Sequence, residues 1–303
     1  MPRLKIRLIV NRGGGSSHEG SSEHLRALFA AQGIAPDMVE VAPEDLQRVC
    51  EEAGSAEGCD AVVVAGGDGT IGTAAAALAG SGRALGIIPL GTLNHFARDS
   101  GIPADPEQAV TTIVHGRRKA VDLAEVNGRI FVNNSGVGLY PDMVRFRDQT
   151  QVRTGHSKRA AMLSASLRAL RSFRRRRLWI KTEEIEAPVR TPLLFVGNNR
   201  YQVNLFALGR REAIDQGELC VYAVRARNRA HLFWAGIRGI FGRLDQQRDF
   251  FTAFAKEVEI SANRAALTLS LDGETLTLAT PLRYRILPGA LTLIVPQEPM
   301  PER

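Results

Sequence analysis

Cysteine is scarce in this chain and long apolar runs are missing. Cys50, Cys59 and Cys220 are odd in number, scattered, and set within apolar patterns. That excludes a disulfide framework and a metal-ligand spacing, and the three read as reduced core residues. No apolar run approaches the roughly 18 to 20 residues that span a bilayer, and the N-terminus has no apolar signal-peptide core. A cytoplasmic protein is expected. Internal repeats and low-complexity tracts are absent too, which removes repeat architectures. What remains is an ordinary globular composition, 44% hydrophobic and 23% charged over 303 residues, enough for two modest domains and a sizeable core.

The formal charge of +7 is unevenly placed. Arg168, Arg171, Arg174, Arg175, Arg176 and Arg177 fall in one short stretch, with Arg153, Lys158 and Arg159 shortly before it. Near an anionic membrane each such charge contributes roughly 1 kcal/mol. Nucleic acid would attract the same charges, and a solvated helix face is the commonest outcome for a charge run.

The first part of the chain alternates strand and helix patterns. Leu4 to Val10, Met38 to Val41, Ala61 to Ala65 and Ala84 to Ile88 read as strands. Helices are expected behind the Ser21/Ser22 cap signal, over Leu46 to Ala53, from Thr70 to Ala79, and from Pro106 to His115. This predicts a doubly wound, mostly parallel sheet, with ligands bound beyond the carboxyl ends of its strands. After Lys119 the pattern changes. Asn127-Gly128 between two apolar segments signals a hairpin, and further strands are expected at Leu178 to Lys181, Leu193 to Gly197, Leu219 to Val224 and Val258 to Ile260. Leu267, Leu269 and Leu271 alternate with Thr268 and Ser270, giving one buried and one wet face. Pro288-Gly289 is read as joining the last two strands. Helical insertions are expected at Leu139 to Gln149 and Lys158 to Phe173. A basic amphipathic helix is expected around Leu232, Phe233, Ile237, Ile240, Phe241 and Leu244, with Trp234 near the edge of that face. Such a helix lies in a membrane interface or caps a sheet.

Two glycine-rich turns carry the chemistry. Val62-Val63-Val64-Ala65 runs into Gly66-Gly67-Asp68-Gly69-Thr70, where backbone N–H groups approach a polyanion with no Cβ in the way and a helix dipole faces the same place. Glycine there also serves merely to reverse the chain. The strand Ala84 to Ile88 ends in a second such turn, Pro89-Leu90-Gly91-Thr92-Leu93-Asn94, so two loops at adjacent strand ends converge on one ligand.

Together with Asn11-Arg12-Gly13-Gly14-Gly15-Ser16, Val121-Asp122-Leu123, Phe131 to Gly138 and Leu271-Asp272-Gly273-Glu274, these segments resemble the diacylglycerol kinase catalytic superfamily. That superfamily includes sphingosine kinases and bacterial lipid kinases and is distantly related to NAD kinases. The resemblance runs in order through most of the chain. It implies a nucleotide-binding domain over residues 1–122 and a mostly antiparallel β-sandwich over 123–303 with helical insertions. The active site is expected in the cleft between them, and the C-terminal segment is free to return to the first domain. It further implies an ATP-dependent lipid kinase using Mg²⁺, with a diacylglycerol-like lipid and an anionic inner-membrane surface as partners. Nucleic acid is set behind these, and a homodimer is left open.

On this reading Asn11, Gly13, Gly14, Gly15, Ser16, Gly66, Gly67, Asp68, Gly69, Thr70, Gly91, Thr92 and Asn94 hold the nucleotide. Asp68 is too negative to touch phosphate directly and is expected to act through Mg²⁺, water or a hydrogen bond. His95 stands where many relatives have aspartate, and Asp122 matches a third acidic position; both are supporting residues. Asp272 and Glu274, as residues i and i+2 of an extended segment, are expected to point the same way, with Glu274 the general base and Asp272 a metal-linked or supporting acid. An Asp-Gly hairpin turn is the alternative. Ala213-Ile214-Asp215-Gln216-Gly217 keeps only Asp215 where relatives with a structural metal have two acids, which argues against that site. A soluble-nucleotide kinase like NAD kinase and a non-catalytic nucleotide- or lipid-binding regulator are the competing functions.

Overall fold

The computed structural model describes residues 4–13, 21–139, 141, 174–201, 211, 213–240 and 249–297. Most of both expected insertions, and with them Arg153 to Arg171, lie outside the described residues. The chain divides into two compact units, Met1–Leu123 with Pro288–Arg303, and Ala124–Leu287.

The first unit is built on parallel strands. β1 (Ile6–Asn11), β2 (Asp37–Val41), β3 (Ala61–Gly66) and β4 (Ala84–Pro89) alternate with α1 (Ser21–Ala31), α2 (Leu46–Ser55) and α3 (Asp68–Ala77). A short α4 (His95–Asp99), then α5 (Pro106–His115) and β5 (Arg117–Val126), follow. The strand order is β2-β1-β3-β4, and the end of β16 (Leu282–Val295) lies parallel to β4. Its central strands β3 and β4 are apolar throughout because helices cover both faces: every residue of the two is buried. Leu25 and Phe29 of α1 and Ala109, Val110 and Ile113 of α5 pack with Leu8, Val63 and Ile88. Losing a fully buried phenylalanine such as Phe29 costs about 3 to 5 kcal/mol. Helix α5 starts where it does because Pro106 occupies its first turn and Asp105 accepts the Gln108 N–H at 3.0 Å. The order reverses at β1, which places the ends of β1 and β3 at a switch point.

The second unit is antiparallel. Asn127 and Gly128, both with positive φ (47° and 81°), turn β5 into β6 (Arg129–Phe131), as a two-residue hairpin requires. The remaining strands are β7 (Asn134–Gly138), β8 (Arg176–Lys181), β9 (Glu186–Thr191), β10 (Leu193–Asn198), β11 (Leu219–Val224), β12 (Phe250–Ala255), β13 (Glu257–Ala262), β14 (Ala266–Leu271) and β15 (Glu274–Ala279). Helix α6 (Arg229–Ile240) precedes β12. One sheet has the order β12-β11-β10-β7-β14-β15; in the other, β13 pairs with the start of β16 and with β8, and β8 with β9. A single apolar cluster that draws on both, including Val137, Ile180, Val196, Val221, Leu269 and Tyr284, makes the unit a sandwich. Tyr284 and Ser135 share a buried 3.0 Å hydrogen bond between the sheets, and burial raises the tyrosine pKa.

Three details correct the sequence reading. Ser270 is fully buried rather than wet, because β14 is an interior strand between β7 and β15. Pro288-Gly289 does not join two strands: it interrupts one continuous strand, β16, where Gly289 takes φ 61°. Helix α3 opens at Asp68, two residues before Thr70, with extended Gly67 as its cap and a carboxylate suited to the positive helix end.

Candidate functional site

The site is assembled from the ends of β1, β3 and β4 in the first unit. Asn11 closes β1 and is buried; its amide donates to Thr70 Oγ1 at 2.8 Å and accepts the Gly13 N–H at 2.9 Å. One side chain therefore ties the first glycine loop to the first turn of α3. Gly14, Gly15 and Ser16 lie outside the described residues. Thr70 in turn explains Gly66, where an added Cβ would sit 2.4 Å from Thr70 Oγ1.

The loops after β3 and β4 meet at their glycines. An added Cβ at Gly91 would lie 2.7 Å from the Gly67 Cα, so two backbones approach and a side chain is excluded at Gly91. Leu90 N–H reaches Gly66 carbonyl at 2.9 Å. The Asp68 carboxylate fastens the pair: its oxygens accept the Asn94 N–H at 2.9 Å and the His95 N–H at 2.7 Å, the amides that open α4. Asn94 adopts left-handed φ 46°, accepts the Gly91 N–H at 3.1 Å and donates to the Gly91 carbonyl at 2.8 Å. The hydrogen-bonding expected of Asp68 is thus to two backbone amides. His95 is the first residue of α4, with Nδ1 at 3.3 Å from the Arg98 guanidinium. Gly69, Thr92 and Leu93 are exposed on the rims of the two loops. The first turn of α3 carries N–H groups that no helical carbonyl reaches, which is the physical basis of anion binding at such an end.

Asp122 is buried, not a surface strand residue, and accepts the Gly289 N–H at 2.9 Å where β16 enters this unit.

In the second unit the expected extended geometry of Asp272 to Glu274 is replaced by a turn. Asp272 (φ 47°) and Gly273 (φ 88°) join β14 to β15, and Leu271 pairs with Glu274. The Asp272 carboxylate consequently turns back into the protein. It accepts N–H groups from Val132 at 2.7 Å, Asn133 at 2.8 Å and Asn134 at 3.0 Å, while Glu274 is exposed at the start of β15. The two carboxylates therefore do not point the same way. Burial pushes the Asp272 carboxyl pKa up, against the three amides and the Arg211 guanidinium, which favour the charged form. Arg211 is buried and donates to the Val132 carbonyl at 2.6 Å and to Asn133 Oδ1 at 3.1 Å. Sequence reasoning missed Arg211, because no motif surrounds it; Asn133 and Asn134 were visible only as part of a longer resemblance.

Among the described residues no three His, Cys, Asp or Glu side chains come together to hold a metal ion. Asp215 is exposed and belongs to no such cluster. Its neighbour Gln216 is used structurally, donating its N–H to Asn199 Oδ1 at 2.9 Å and accepting the Arg200 N–H at 3.2 Å.

A parallel sheet with glycine turns at its switch point, joined in one chain to an antiparallel sandwich, is the two-unit architecture that the sequence resemblance implies. Comparison with known proteins agrees. Residues 5–126 match the diacylglycerol kinase catalytic domain, and residues 143–295 match the YegS C-terminal NAD kinase beta sandwich-like domain. The chain is 33% identical over 265 residues to the "Probable lipid kinase YegS-like" protein of Pectobacterium atrosepticum, covering 84% of each chain. It is 31% identical over 309 residues to the protein of that name in Pseudomonas aeruginosa, covering 98% of this chain and 96% of the other. The crystal structure of a diacylglycerol kinase from Bacillus anthracis has the same fold, with a TM-score of 0.73 at 23% identity over 97% of this chain and 98% of that one. This chain belongs to the YegS-like lipid kinase family, and kinase domains of this kind imply use of a nucleotide.

Proposed function

We propose that the protein transfers the γ-phosphoryl group of ATP to a hydroxyl of diacylglycerol or a related lipid. The observation that carries this reading is the Gly67–Gly91 approach locked by Asp68, a close backbone contact that any Cβ at Gly91 would break. The fit to a nucleotide is good: backbone amides and the positive end of α3 face the place where phosphate would lie. A protein-built metal centre fits less well, since each Asp68 oxygen already accepts an amide and no acidic cluster stands beside it among the described residues. Mg²⁺ would be held by the phosphates of the nucleotide, where it would supply charge neutralisation during transfer.

ATP, when bound, supplies the transferable phosphoryl group. Asn11 and Asp68 hold the loops still, so their amides are preorganised for charge that develops during transfer. Glu274, exposed and carried on a tight turn, is the proposed general base that takes the acceptor hydroxyl proton. Asp272 positions the turn that carries it.

A radiolabelled-ATP assay against a panel of lipids and NAD, with products identified by mass spectrometry, tests the reading. A phosphorylated lipid is expected. Phosphorylated NAD with no lipid product would assign the chain to soluble nucleotides, and no product with retained ATP binding would leave a regulator.

A further inference from the structure

Helix α6 presents its apolar residues differently from the sequence expectation. Leu232 is buried with Tyr222, Val224 and Phe250, whereas the next two residues, Phe233 and Trp234, are 49% and 60% exposed. Their rings pack edge to face at 6.0 Å. This exposure does not come from a loosely held helix. Leu232 anchors the N-terminal half, and farther along Arg238 donates to buried Asp249 at 2.6 Å, while Asp249 carbonyl accepts the Arg225 N–H at 2.8 Å.

The segment that carries the pair is rich in arginine. From Leu219 to Leu244 the sequence contains Arg225, Arg227, Arg229, Arg238 and Arg243 and no carboxylate. Arg225, Arg227 and Arg229 are exposed, and Arg229 lies four residues before Phe233, on the same helix face. Arg229 is also the first residue of α6, whose first turn holds no acid. A cation at that end opposes the helix dipole, so local helix stability does not account for it. An exposed aromatic pair on a helix that opens with exposed arginines, none of which has a carboxylate partner among the described residues, suits an anionic interface, where the rings enter the headgroup layer and the guanidinium groups meet lipid phosphates.

We infer that Phe233 and Trp234, with Arg225, Arg227 and Arg229, form a docking element for an anionic phospholipid bilayer. The choice of occupant rests on the lipid-kinase reading, since a lipid acceptor resides in such a surface; single-stranded nucleic acid is the competing occupant, because bases also stack on exposed aromatics.

The test uses the full chain without ATP, mixed with phosphatidylcholine vesicles with and without phosphatidylglycerol. Binding is expected only to the anionic vesicles and should weaken with salt. Replacing Arg225, Arg227 and Arg229 with Gln should lower affinity roughly fivefold each, about a hundredfold together. In a Trp179→Phe background, Trp234 is the single reporter; its emission should shift to the blue on binding and be quenched by brominated lipid. The Phe233→Ser/Trp234→Ser variant should lose vesicle affinity while turning over a short-chain, water-soluble diacylglycerol at the parental rate. No vesicle binding by the parent, unchanged binding by the serine variant, or displacement of vesicles by a tighter-binding single-stranded oligonucleotide would each overturn the proposal. If the parent binds vesicles but phosphorylates no lipid, the kinase reading falls and the docking element stands.

Discussion

The carboxylate of Asp272 accepts the backbone N–H of Val132 at 2.7 Å, a contact between residues 140 positions apart. With the Asn133 and Asn134 amides added, one side chain satisfies three consecutive donors. Asp272→Ala would strand them, and at about 1 to 3 kcal/mol for each unsatisfied buried group the loss is roughly 3 kcal/mol or more. Urea denaturation measures it. A metal-linked acid would behave the other way, with parental stability and an altered Mg²⁺ dependence.

Gly67 and Gly91 predict opposite defects. An added Cβ at Gly67 meets its nearest neighbour at 3.4 Å, an ordinary contact, and its φ of −91° suits any residue. Gly67→Val should therefore keep the fold and abolish ATP binding. Gly91→Ala drives a Cβ to 2.7 Å from backbone and should cost about 1 to 3 kcal/mol of stability before any ligand is added. Calorimetric titration beside thermal melts separates the two.

Asp68→Ala removes the acceptor of two amides and should lower stability by roughly 3 kcal/mol, because bonds to a charged group contribute about 1.5 to 3 kcal/mol each. Nucleotide affinity should fall with it, since the second loop loses its anchor. A variant as stable as the parent would show that Asp68 does not hold the loop.

Glu274 is exposed, so Glu274→Gln should leave thermal stability and ATP affinity near parental values. Turnover should drop about 100- to 10,000-fold, the usual contribution of a general base, or about 3 to 5 kcal/mol of barrier. An active Gln variant, measured in the radiolabel assay, would end the assignment.

Burial pushes the thiols of Cys50 and Cys220 up to about 12. Folded pKa values raised this way confer stability below the unfolded thiol pKa of about 8.5. That stability is lost as pH climbs toward 12, because the unfolded chain gives up its protons first. Stability measured from pH 9 to 11 should fall more steeply in the parent than in a Cys50→Ala/Cys220→Ala variant. In the native state at pH 8 both should resist iodoacetamide and react once urea is added.

The parts legible in the sequence were those governed by nearest neighbours. Pro106 to His115 starts at a proline, Leu219 to Val224 is an unbroken apolar run, and the Asn127-Gly128 turn is made of residues that tolerate positive φ. The same Asp-Gly chemistry at 272–273 was outweighed by the expectation of two carboxylates facing one way. Nothing local reveals that three amides from residues 132–134 wait for that side chain.

The sequence by itself determined the alternation of strands and helices, the change to antiparallel pairing, and the glycine turns, since hydrophobic period and backbone freedom act over a few residues. Only the tertiary structure decided that Asn11 reaches Thr70, that Asp68 spans to His95, and that Phe233 and Trp234 face outward while Leu232 packs inside. These depend on which strands become neighbours and on what covers each face. A hydrogen bond or a buried contact between residues distant in the chain exists only after the sheet order has brought its two ends together.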